Sequence, residues 1–254
     1  MLTCIIEAYA GTWLICMFIL LTVAYSVGVA VIFMIVICIM SALVDDEKPQ
    51  KTVNRLYMNV LKGSMGIVCA GCRVKVHMTG EEKIPDGKFL LVGNHTSNFD
   101  PLITIWMLRK HDFAFVSKPE NLKLPIFGKF MHKCCFLSLD RDNDRAALRT
   151  ILDAAELIRS DTMCVAIYPE GTRNHGQGLL PFKNGAFKIA QKAKAPIVVL
   201  HVKNMEKIAK NAPLKRTDVY MDILDVIPAE TVAALKTNEL GDMIRERMLA
   251  AENA

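Results

Sequence analysis

His95 and Asp100 stand five residues apart in Asn94-His95-Thr96-Ser97-Asn98-Phe99-Asp100. A carboxylate bonded to an imidazole fixes its tautomer and makes it a better general base. Residues five apart on one ideal helix lie about 140° apart around the axis. The pairing therefore requires a loop ahead of a helix. Two roles are open to Asp100: orienting His95, or capping the helix that follows. Downstream, Glu170-Gly171-Thr172-Arg173 brings together a carboxylate, a glycine, a hydroxyl and a guanidinium. Glycine lets a ligand approach the backbone closely, and the planar fork of arginine suits phosphate. Lys118, Arg141 and Lys183 add positive charge from other loops. Together these residues describe an anion pocket beside a general base. A purely structural alternative pairs Glu170 with an arginine as a buried ion pair and leaves Lys118 and Lys183 solvated.

The elements that must position these residues alternate. Phe89–Val92 is an apolar run that reads as a buried strand, and Pro101–Leu108 reads as a helix with proline at its first position. Strands are also expected at Arg73–Met78, Phe113–Val116, Cys135–Leu139, Met163–Tyr168, Pro196–Val202 and Val219–Val226. Between them fall helices: one capped by Asp144 with apolar positions from Ala147 to Ile158, one after Pro181 through Lys192, and a last one around Leu240–Ile244. Alternation of this kind predicts an α/β fold, a mostly parallel mixed sheet flanked by helices. In such sheets ligands gather at loops after the carboxyl ends of strands. His95–Asp100, Lys118, Asp140–Arg141 and Glu170–Arg173 all follow predicted strands.

The 254 residues are 52% hydrophobic, and the excess lies at the N-terminus. No charged residue occurs between Glu7 and Asp45. As one helix this run reaches about 55 Å, against roughly 30 Å of hydrocarbon. It suits a membrane anchor, either one tilted span or a helical hairpin turning near Ser26-Val27-Gly28. Its length, and the lack of a basic segment before it, argue against a cleaved signal peptide. Lys48, Lys51, Arg55 and Lys62 follow the run and place the rest of the chain on the cytoplasmic face of a membrane. The expected organisation is an anchor at 1–47, a linker or interfacial helix at 48–72, and an α/β domain at 73–254. A helix over Val53–Val68 could lie on the membrane or pack on the domain.

The net charge of +5 suits anionic headgroups or substrates. No nucleic-acid signature accompanies it, so no nucleic-acid partner is expected. Cys69-Ala-Gly-Cys72 has metal spacing but no second pair, and reduced thiols without a metal are the expectation. Lys62-Gly63-Ser64-Met65-Gly66 lacks the first glycine of a nucleophile elbow. Asn94-His95-Thr96 fits a glycosylation sequon, but a cytoplasmic loop would not be modified.

Four blocks in order resemble the glycerolipid acyltransferase family: Asn94–Asp100, Phe136-Leu137-Ser138-Leu139-Asp140-Arg141, Tyr168-Pro169-Glu170-Gly171-Thr172-Arg173 and Ala195–Val199. The nearest members are the 1-acyl-glycerol-3-phosphate acyltransferases, and the resemblance spans Val74 to Val202. It implies a general base at His95 oriented by Asp100. It also implies an acceptor phosphate and glycerol site at Arg141, Glu170, Gly171, Thr172 and Arg173, with Lys118 and Lys183 nearby. The implied reaction moves an acyl chain from acyl-CoA or acyl carrier protein to the sn-2 hydroxyl of lysophosphatidate at the bilayer. It needs no cofactor and no metal. Ser138–Arg141 departs from the isoleucine-rich strand usual in the second block, and Val199 stands where a second proline is frequent. Alternatives are another lyso-lipid acceptor, or a non-catalytic lipid-binding protein. The intact His95, Asp100 and Glu170–Arg173 argue against the last.

Overall fold

The computed structural model describes residues 2–45 and 52–252. Two compact units divide after Asp45. Lys48, Lys51 and the expected boundary between 47 and 48 lie outside the described residues.

The first unit is one helix, α1 (Leu2–Ala42). Its stretch Thr12–Ala42, 31 residues, is long and apolar enough to cross a bilayer. The expected alternative of a hairpin at Ser26-Val27-Gly28 does not form. Instead Ser26 Oγ donates to the Thr22 carbonyl at 2.7 Å, so the hydroxyl is satisfied one turn back and the helix continues.

The second unit runs α2 (Arg55–Gly71), β1 (Val74–Thr79), β2 (Leu90–Gly93), α3 (Phe99–Met107), β3 (Phe113–Ser117), α4 (Pro119–Leu122) and α5 (Phe127–Lys133). It continues with β4 (Leu137–Ser138), α6 (Asp144–Arg159), β5 (Cys164–Ile167), α7 (Lys188–Ala193), β6 (Ile197–Lys203), α8 (Ile208–Asn211), β7 (Thr217–Ile227), α9 (Ala229–Ala234) and α10 (Thr237–Glu252). The strands form one sheet in the order β1-β7-β6-β2-β5-β3-β4. All pairings are parallel except β6 with β7. The sheet is therefore mixed and mostly parallel, and helices flank it. β2 lies at its centre. The chain leaves β2 towards β3 on one side and later crosses to β6 on the other, so the carboxyl end of β2 is a topological switch point with a natural crevice. Leu90, Leu91, Val92, Val165, Ile197, Val198 and Val199 are buried in this central region, as continuous apolar runs in a doubly covered sheet should be.

α2 starts where Asn54 accepts hydrogen bonds from the Leu56 and Tyr57 amides. It buries Tyr57, Met58, Leu61, Met65 and Cys69, and packs on α3 and α5. Asp112 holds it from outside the helix: its carboxylate pairs with Lys62 at 2.7 Å and also with Arg55. Ser64 lies within this helix and donates to the Val60 carbonyl, so no nucleophile elbow exists there.

Among the boundaries that differ from expectation, three have a local cause. α3 begins at Phe99, so Asp100 is a first-turn residue and not the cap. Pro101 is tolerated because first-turn amides need no helical acceptor. Asn143, and not Asp144, caps α6: it is extended and its side chain accepts from the Ala146 amide at 3.1 Å. The strand expected over Cys135–Leu139 shrinks to Leu137–Ser138, because Cys135 takes a left-handed φ of 58° that no strand accommodates.

Candidate active site

β2 ends at Gly93, and the chain turns through an irregular loop into α3. Asn94 ties this departure to the neighbouring strand. Its amide donates to the Val202 carbonyl at 2.9 Å and accepts from the Val202 amide at 2.7 Å. Asp100 is fully buried. Its carboxylate accepts from the Thr96 amide (2.7 Å), the Ser97 amide (2.9 Å) and the Thr96 hydroxyl (3.0 Å). Those donors hold Asp100 rigidly, and it meets His95 Nδ1 at 2.7 Å. Of the two roles open to Asp100, the contact with the imidazole is the one formed; it orders the preceding loop and does not cap α3. An acceptor-only carboxylate at Nδ1 assigns the proton there and leaves Nε2 as the basic nitrogen.

The other side of the loop is held from the segment after β5. Glu170 is buried, and it accepts from the His95 amide at 2.6 Å, the Leu180 amide at 2.9 Å and the Asn174 side chain at 3.1 Å. Burial raises its carboxyl above the ordinary value, and these donors oppose the rise. The Asn174 amide returns a bond to the His95 carbonyl at 2.7 Å. Glu170 therefore fastens the His95 loop, and among the described residues it pairs with no arginine. The imidazole stacks on the Tyr168 ring, with centroids 4.4 Å apart and planes 11° apart. The Tyr168 hydroxyl is buried without a hydrogen-bond partner, and burial pushes it well above its usual range.

His95 lines a cavity of about 550 Å³. Lys118, Arg141 and Arg173 line it too, and no acidic side chain among the described residues does. The rest of the wall is largely apolar, including Met65 from α2, Ile105 from α3, Phe115 from β3, Phe127 and Met131 from α5, and Phe136. Gly171 and Thr172 line the cavity as well. Gly171 has φ +75°, and a Cβ there would fall 2.3 Å from an Arg141 guanidinium nitrogen. Arg141 thus lies flat on the glycine and donates to its carbonyl at 2.8 Å. Two expected site residues stand elsewhere. Glu170 lies behind the loop with its oxygens already occupied. Lys183 lines a neighbouring cavity of about 430 Å³, which shares Arg141 and Tyr168 with the first.

The arrangement supplies a base, three cationic side chains and a largely apolar wall in one cavity. It is suited to an amphiphile whose reacting group lies between an anionic head and a hydrocarbon. The sequence reading missed Tyr168, Asn174 and the apolar wall; the only signal for Tyr168 is its place directly before Pro169-Glu170. Cys69 and Cys72 make no metal site with other donors among the described residues, and burial pushes the Cys69 thiol to about 11.

A family model described as Acyltransferase matches residues 75–203, just over half of the chain. The 1-acyl-sn-glycerol-3-phosphate acyltransferase of Saccharomyces cerevisiae is 29% identical over 202 residues, covering 77% of this chain and 63% of the yeast protein. The enzyme of the same name from Haemophilus influenzae is 35% identical over 123 residues, covering 46% of this chain and 51% of its own length. The chain thus spans between half and two thirds of these relatives. Among solved structures, the 1-acyl-sn-glycerophosphate (LPA) acyltransferase PlsC from Thermotoga maritima shares the fold, with TM-score 0.64 and 20% identity over 77% of this chain and 78% of that one.

Proposed function

This chain belongs to the acyltransferase family, and we propose that it transfers an acyl chain from a thioester to the sn-2 hydroxyl of 1-acyl-glycerol-3-phosphate, giving phosphatidate. The observation that carries the reading is the 2.7 Å bond between His95 Nδ1 and buried Asp100, at the wall of a cavity whose charged side chains, among the described residues, are all cationic. Lys118, Arg141 and Arg173 receive the acceptor's phosphate, which brings the free hydroxyl to His95. Nε2 takes the hydroxyl proton as the oxygen attacks the thioester carbonyl. The C–S bond breaks, and the imidazolium returns the proton to the departing thiolate. The thioester is already activated, so the protein supplies chiefly position and a base.

The donor is an acyl-CoA or an acyl carrier protein thioester. Residues 1–47 anchor the α/β domain of 73–254 at the cytoplasmic face of a membrane, taken as a bacterial inner membrane. Both lipids reside there, so tethering raises their effective concentration. An acyl-transfer assay on membranes tests the reading, using lysophosphatidate beside lysophospholipids that lack a phosphate monoester, and both donor types. His95→Ala is expected to lose turnover by about 10²–10⁴-fold while remaining folded in membranes. Near-normal turnover in that variant refutes the mechanism. Equal rates for all acceptors refute the phosphate assignment.

A further inference from the structure

We propose that Tyr168 is a positioning residue whose ring face, and not its hydroxyl, stabilises the imidazolium that His95 becomes during transfer. The inference rests on the acyl-transfer reading above. Its first support is geometric. The two ring centroids lie 4.4 Å apart with the planes within 11° of parallel, so the imidazole stacks face to face on the tyrosine π-system. The fold makes room for this contact. A Cβ at Gly93 would come within 3.1 Å of Tyr168 Cε1, so the end of β2 has to be small where the ring is seated. Phe115 backs the same ring at 6.2 Å.

The hydroxyl is buried beside the Thr104 hydroxyl, closed to solvent, so what Tyr168 presents to the imidazole is its ring face. The face of an aromatic ring carries negative electrostatic potential and attracts a cation placed over it. Neutral imidazole gains little from that potential, whereas the imidazolium formed after Nε2 accepts the hydroxyl proton gains more. The stabilisation therefore grows as the reaction proceeds, which is the property that accelerates a step. Other charged groups face His95 as well. Asp100 from α3 contacts Nδ1, and Glu170 holds the His95 amide. Lys118, Arg141 and Arg173 line the same cavity and oppose protonation. The ring adds a favourable contribution beside that of Asp100.

The test replaces Tyr168 in the full-length membrane protein by phenylalanine and by phenylalanines carrying one, two and three fluorines. Fluorine withdraws charge from the ring face while nearly preserving its shape. The acid limb of the kcat profile is expected to move to lower pH by about half a unit across the series, with kcat falling in parallel. Tyr168→Leu is expected to lower kcat about tenfold, and Tyr168→Phe to restore most of that loss. A limb that stays fixed across the fluorinated series, with His95→Ala inactive, overturns the role of the ring and leaves the acyl-transfer reading standing. Tyr168→Phe losing as much as Tyr168→Leu overturns it equally, because the hydroxyl would then be required. An active His95→Ala overturns both readings.

Discussion

Gly171 is the residue through which the charged end of the cavity is built. Its φ of +75° is strained for any residue with a Cβ, and that Cβ would sit 2.3 Å from Arg141. Gly171→Ala is expected to displace the guanidinium. The loss should fall on KM for the phosphate-bearing acceptor, by about tenfold from one charged contact, because His95 and Asp100 are untouched. A drop in kcat at constant KM contradicts this account. At this scale the sequence was partly legible. His95 and Asp100 could be paired because their types and their strand-to-helix setting restrict what they do. Glu170 was not legible in this way, because a carboxylate in a loop reads the same whether it faces a ligand or, as here, accepts from three amide donors. The Tyr168 stack was invisible, since ring planes depend on how β2 and β5 end in space.

The elements carry a different constraint. α2 and α3 approach closely at Gly66, where a Cβ would come within 2.7–2.9 Å of the Trp106 ring. Gly66→Leu is expected to push the helices apart, costing about 1–3 kcal/mol as overpacking does. It should also reduce turnover, because Met65 beside it lines the cavity. A thermal melt in detergent, paired with the transfer assay, checks both; an unchanged melt refutes the close contact. Strand and helix alternation was readable because apolar runs and one-sided stripes repeat along the chain. The order of strands was not, since it depends on which crossover each helix makes. α9 was missed because six residues without a side-chain cap carry too little pattern.

Across the whole globular unit, buried titratable groups set the response to acid. His201 is 2% exposed, and burial lowers it from 6.5 to about 4. Its folded value lies below the unfolded one. Its contribution to stability is therefore complete above 6.5 and is lost as pH falls from 6.5 towards 4, where only the unfolded chain takes up the proton. The full effect is on the order of 3 kcal/mol. Burial also lowers His111, in the same direction. Asp218 is lowered to about 2 by Arg216 and His77, so it acts in a more acidic range. Unfolding of His201→Leu is expected to show a shallower pH slope between 4 and 6.5 than the wild type. Identical slopes in denaturant titrations would exclude His201 as a source.

Asn94 spends both halves of its side-chain amide on Val202 and is 3% exposed. The side chain in effect adds one more rung to the ladder between β2 and β6 after the backbone has left it. An oligosaccharide acceptor needs that nitrogen free and outward. The Asn94-His95-Thr96 sequon is therefore chemically closed in the folded chain, whichever compartment it meets. Once the chain has folded, a naked Asn94 is accounted for by the sheet as well as by a cytosolic domain. Sidedness is better mapped with an acceptor site engineered at the exposed Asp86-Gly87 turn, where a Cβ on the glycine meets no neighbour within 4 Å.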